Sequence, residues 1–151
     1  MLSFDAGEAP RRSTSSLAGI PTVSAWRRRA LETFPELRGE IEPPDTTLYD
    51  VFFRLLPWCR DAHSSGDEAV LSRIYGFAEW CARQPAEDLW NPVGVAFYEH
   101  LADSTVTLAG IPRWVARDVF EDIAELLAAR IGGDKVAYLR GQYGAPRGDA
   151  R

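Results

Sequence analysis

The sequence predicts an all-α protein: a single-domain bundle of about five to six helices, with short loops and antiparallel neighbours. Two observations carry that prediction. Apolar residues recur at helical spacing in several long segments, as at Leu48, Phe52, Leu55, Leu56 and Cys59, where the intervals place all five on one face of a 3.6-residue turn. Helix-start and helix-stop residues (Asn, Asp, Pro, Gly) punctuate those segments at the right places. Period-two alternation, the mark of a half-buried strand, is confined to "STVTL" at 104–108.

Along the chain, Thr22 or Ser24 caps a first helix carrying Trp26, Ala30 and Leu31; Pro35 drives Phe34 out of the helical region and ends it. "RGEIEPPD" at 38–45 reads as a linker, because a Pro-Pro pair cannot continue a helix. Asp45 opens the second helix, whose Val51, Phe53 and Trp58 widen the apolar stripe nearly all round and make it central. Pro57 predicts a kink within it. Gly66 suits a left-handed stop and Asp67 a cap for the third helix, with Val70, Leu71, Ile74, Phe77, Ala78 and Cys81 facing inward. Asn91 and Pro92 look like the cap and first residue of a fourth helix, with "PAEDLW" upstream either a turn or a bent extension. Val93, Ala96, Phe97, His100 and Leu101 share its inner face. A fifth helix starts at Pro112, buries Val115, Val119, Ile123, Leu126 and Leu127, and stops at Gly132 and Gly133. Asp134 caps a last short helix through Val136, Tyr138 and Leu139.

These elements divide the chain into a flexible N-terminal arm, 1–20, a helical domain, 21–143, and a flexible tail, 144–151. At 151 residues a single domain buries about 70% of its unfolded surface, so it needs no metal or disulfide staple. The net charge of −5 argues against a nucleic-acid partner, since phosphate contacts need a basic surface. No apolar run approaches the length of a membrane span, and the twin Arg at 11–12 is succeeded only by "LAGI" rather than an export signal's apolar region. Cys59 and Cys81 form no CxxC or Cys/His cluster and read as buried thiols of a cytoplasmic protein.

Candidate chemistry is sparse. Glu99 and His100 are sequence neighbours, so on a helix they point about 100° apart and do not form a pair. His63 with Asp61, Ser64 and Ser65 suggests a triad on paper, but the strained GxSxG turn of a serine nucleophile is missing. Neither ExxH pairs for metals nor a phosphate-binding GxxxxGK[ST] occurs. "WRRR" at 26–29 reads as a solvated face. The expectation is therefore a protein with no catalytic residue, no metal and no cofactor.

Charge is the most informative surface feature. Residues 1–31 are net +3 and residues 32–151 net −8. The acids gather in two places: Glu36, Glu40, Glu42 and Asp45 along the linker, and Asp118, Glu121, Asp122 and Glu125 as a helical stripe. Solubility explains such charge; a docking face for a basic protein partner explains it too.

The stretches "RIYGFAEWCARQ" at 73–84, "NPVGVAFYEHL" at 91–101 and "FPEL" at 34–37 resemble an uncharacterised family of small all-helical bacterial proteins over roughly 67–131. That family is similar in size and character to immunity proteins encoded beside secreted bacterial toxins. The resemblance implies a non-enzymatic cytoplasmic protein that neutralises a cognate toxin, its acidic face covering a basic active site. A helical regulatory or scaffold module, binding another protein or itself through exposed aromatics, is the alternative.

Overall fold

Helix α3 (Leu48–Ser65) organises the molecule. The computed structural model describes residues 24–144, so the expected arm and all of the expected tail except Gly144 lie outside the described residues. Around α3 stand α1 (Ala25–Thr33), α2 (Arg38–Ile41), α4 (Glu68–Ala82), α5 (Glu87–Val93), α6 (Thr105–Trp114), α7 (Arg117–Ile131) and α8 (Gly133–Gly144). A 3₁₀ turn, Pro35–Leu37, precedes α2. A π turn, Gly94–Tyr98, and a 3₁₀ turn, Glu99–Asp103, continue α5. No strand occurs among the described residues.

The class is as predicted, but the described residues form eight helices rather than five to six. The two missed are α2 and α6. In α2 the Gly and the Pro pair hide a single turn held by tertiary contacts: Leu37 and Ile41, four apart, are both buried. The Arg27 guanidinium donates to the carbonyls of Ile41, Pro43 and Thr46, pinning the loop after α2. Arg29 lies over the Trp80 ring, so "WRRR" is in part a clamp rather than a solvated face. α6 contains "TVTL", whose β-branched run imitates a strand. Thr107 nonetheless sits fully inside, its hydroxyl donating to Leu101 O at 2.6 Å and Ser104 O at 3.1 Å, and Ile111 lies on the same face. Pro112 therefore falls in the last turn of α6, not at the start of α7, whose N-cap is Ala116.

Other boundaries moved for local reasons. α3 begins after Thr47, not Asp45: Thr47 and Asp50 form a reciprocal capping box, Asp50 N–H to Thr47 Oγ1 at 3.2 Å and Thr47 N–H to Asp50 Oδ2 at 2.8 Å. α3 runs through Pro57 to Ser65, and Gly66 behind it takes the left-handed conformation expected of it at φ 73°. Asp67 caps α4 through Val70 N–H. α5 starts at Glu87, with Pro92 inside rather than at the first position. Proline cannot donate back along the helix and crowds the carbonyl four residues before it; the wider π turn begins two residues later.

Four phenylalanines meet in the core: Phe34 from the junction after α1, Phe52 from α3, Phe77 from α4 and Phe97 from the π turn. Phe34 meets Phe77, Phe77 meets Phe52, and Phe52 meets Phe97, with ring centroids 5.5, 5.5 and 5.6 Å apart. Phe53, expected to widen the α3 stripe inward, is instead 51% exposed. Cys59 and Cys81 are buried and unbridged. Burial pushes their thiols up to about 11 and about 12, which holds them as neutral, unreactive groups.

Candidate functional site

The two histidines are placed by packing. His63 Nε2 shares a 2.8 Å hydrogen bond with the Tyr75 hydroxyl, and the Trp114 ring stacks on Tyr75 with centroids 5.6 Å apart. Helix α6 reaches this site through Gly110, where an added Cβ would lie 2.6 Å from His63 Cε1. Ser65 Oγ reaches only the Ala62 carbonyl. Asp61 and Ser64 are exposed, so the triad suggested by sequence does not assemble. Burial lowers the His63 pKa from 6.5, and this has a consequence for stability. The unfolded chain takes a proton below about pH 6.5 that the folded ring resists. Stability contributed here is therefore complete above that pH and falls as the medium is acidified. Urea midpoints should drop between about pH 6.5 and pH 5, and His63→Gln should flatten that drop; an unchanged slope in the variant would place the titration elsewhere.

His100, expected on the inner face, is half-buried at the edge, with Nδ1 2.8 Å from Asp103 Oδ2. Tyr98 goes inside instead, 1% exposed, because the π turn carries more residues per turn and rotates the residues after it. Arg130 from α7 bridges Glu99 (3.0 Å) and Asp103. Glu99, His100, Asp103 and Arg130 thus brace the 3₁₀ turn against α7. No Ser, Thr or Cys among the described residues hydrogen-bonds to either histidine ring.

The acids divide into paired and free. Glu36 binds Arg73 at 2.5 Å, Glu40 binds Arg54 at 2.6 Å, and Glu42 pairs with Arg38. Asp118 pairs with Arg83, and Glu121 takes both arms of the Arg140 guanidinium at 2.9 Å each. These hydrogen bonds hold the Glu36, Asp118 and Glu121 carboxyls below their usual range. Asp45, Asp122 and Glu125 have no ionic partner among the described residues. The predicted linker acids and stripe acids do not come together into one patch of free charge; half or more of each group is neutralised within the fold.

The free pair of the stripe has a particular setting. Asp122 and Glu125, three residues apart on α7, stand at a cleft of about 490 Å³ between α7 and the α5–π segment. Its walls are apolar: Val93, Val95, Val119, Ile123 and Leu126, with Trp90 40% exposed at its edge. The sequence reading missed Trp90 and Val95. Their signal was present in "PAEDLW" and "NPVGV", but the π turn that turns Val95 outward is not visible in a 3.6-residue pattern. No group of three or more His, Cys, Asp or Glu side chains among the described residues could hold a metal ion, and none of the described helices is long and apolar enough to cross a membrane.

A family profile described as a domain of unknown function, DUF7674, matches residues 27–127. The chain belongs to the DUF7674 family. The DUF7674 region contains every residue that lines the cleft, and also the stretches 34–37, 73–84 and 91–101 on which the sequence resemblance rested. It ends inside α7, so α8 lies beyond it. α8 is nonetheless part of the packed body: Tyr143 donates to the carbonyls of Ile111 and Val115 at 3.1 and 2.7 Å. Comparison with curated proteins and with solved structures gives no match.

Proposed function

We propose that this chain is a non-enzymatic binding protein that docks a basic protein partner on the face formed by α5, the π turn and α7. One observation supports the reading above the rest. Most of the acids in its two acidic segments are engaged by arginines, whereas Asp122 and Glu125 stay free at the rim of an apolar cleft. Free carboxylates beside exposed apolar surface suit a partner that brings a basic side chain and an apolar anchor together, since charge steers the encounter and burial of the anchor holds it. The resemblance to immunity proteins supplies the biological version: the partner is a toxin domain with a basic active site, covered by this face in the cytoplasm.

The exposed Tyr49, Phe53, Trp90 and Val95 favour a second reading, a module that associates with itself. Sedimentation velocity separates the two, because a self-associating chain grows heavier with its own concentration.

The deciding experiment is a pull-down from the source organism, then association kinetics. With a basic partner, Asp122→Lys together with Glu125→Lys should slow association about tenfold or more at low salt, and added salt should slow the wild type. Reversing Glu40, already tied to Arg54, should change the rate little. Association that ignores both salt and the double reversal would overturn the reading.

A further inference from the structure

The cleft at α7 is not isolated. A second, more open groove of about 910 Å³ runs from α1 past the start of α3 to α5, and Asn91 lines both. Asn91 Nδ2 donates to the Tyr49 hydroxyl at 3.0 Å across this junction, and Trp26 and Pro92 add apolar wall to the outer groove. Two further acids, Glu87 and Asp88, line the outer groove, are exposed, and have no ionic partner among the described residues. They stand in the first turn of α5, where a negative charge also suits the helix end, but that role leaves their carboxylates open to solvent. Among the described residues one arginine lines the outer groove, Arg27, and it directs its guanidinium at the loop carbonyls of Pro43 and Thr46, at 3.0 and 3.1 Å.

A free acidic pair therefore lines each half of a trough, the two grooves joined at Asn91, and both halves carry apolar wall. We propose that the two grooves form one site for an extended, linear peptide segment, basic at both ends and apolar at its centre. The inference rests on the docking face of the proposed function and names the segment that face recognises. An extended basic segment of a partner can follow both grooves through Asn91, the residue they share. A single extended strand can place an apolar side chain against Val95 and Leu126 and bring basic side chains to the acidic pair of each groove.

The test uses the full chain and a fluorescein-labelled peptide of about ten residues, which spans roughly 33 Å when extended, with two arginines at each end and leucines between them. Fluorescence anisotropy should show saturable binding that weakens with salt. Neutralising Asp122→Asn with Glu125→Gln should weaken it about tenfold, and neutralising Glu87→Gln with Asp88→Asn should do the same. A peptide with arginines at one end only should become insensitive to one of the two pairs. Circular dichroism checks that each variant keeps its helices.

Equal binding of a peptide carrying glutamates at both ends would overturn the proposal. So would sensitivity to the α7 pair with no response to the α5 pair, since that describes one pocket rather than a trough. The outcome is separable from that of the docking face. A folded partner that depends on Asp122 and Glu125 but is not displaced by the peptide sinks the trough and leaves the face. A peptide bound with the full pattern, beside a partner indifferent to both reversals, sinks the face and leaves the trough.

Discussion

Phe52→Ala should destabilise the fold by about 3–5 kcal/mol. Phe52 is 0% exposed and touches two other core rings, Phe77 from α4 and Phe97 from the π turn. Removing it opens a cavity at the junction of three elements, none of which can close without moving the others. Domains of this size are stable by only about 5–15 kcal/mol, so the variant should sit near its folding threshold. The adjacent residue supplies the control. Phe53 is 51% exposed and packs edge-on against the His100 ring, and Phe53→Ala should cost about 1 kcal/mol, well below the cost at Phe52. Urea unfolding of both variants checks the pair, and equal shifts would mean that the face of α3 turned inward has been misassigned.

Gly110 carries the second large effect. An added Cβ would lie 2.6 Å from His63 Cε1 and 3.3 Å from Nδ1. The ring cannot swing away freely, because Nε2 is held by the Tyr75 hydroxyl and Tyr75 is stacked on Trp114. Gly110→Val should therefore cost about 2–3 kcal/mol through overpacking. The cause is checked by a double-mutant cycle with alanine. Gly110→Ala alone sets helix propensity, about 1 kcal/mol in its favour, against the clash with the ring. In a His63→Ala background the clash is gone, and the same change should stabilise by about 1 kcal/mol. An identical Gly110→Ala effect in both backgrounds would show that the two sites do not touch in solution.

Both predictions depend on contacts between helices distant in sequence, and that is where sequence reading reached its limit. The all-α class, the inward faces of α3, α4 and α7, the left-handed Gly66 and the Asp67 cap were legible in the sequence. Each is a local matter: a helix buries one stripe, and the stripe repeats every 3.6 residues whatever it packs against. Single-turn α2 and the β-branched α6 were not legible. Their intrinsic preference is weak, and Leu37, Ile41, Thr107 and Ile111 become helical because neighbouring elements bury them.

The same division runs through the candidate site. The sequence alone determined that Asp118, Glu121, Asp122 and Glu125 lie together along one helix, since spacing of three and four residues suffices for that. Only the tertiary structure decided which of them are free. Arg83 reaches Asp118 across 35 residues of chain and Arg140 reaches Glu121 across 19, while nothing described arrives at Asp122 or Glu125. The cleft beneath that free pair exists because Pro92 and the π turn at Gly94–Tyr98 alter the helical register and turn Val95 outward against α7. A carboxylate's position along a helix is set by periodicity, but its partner and its exposure are set by the way the rest of the chain packs around it.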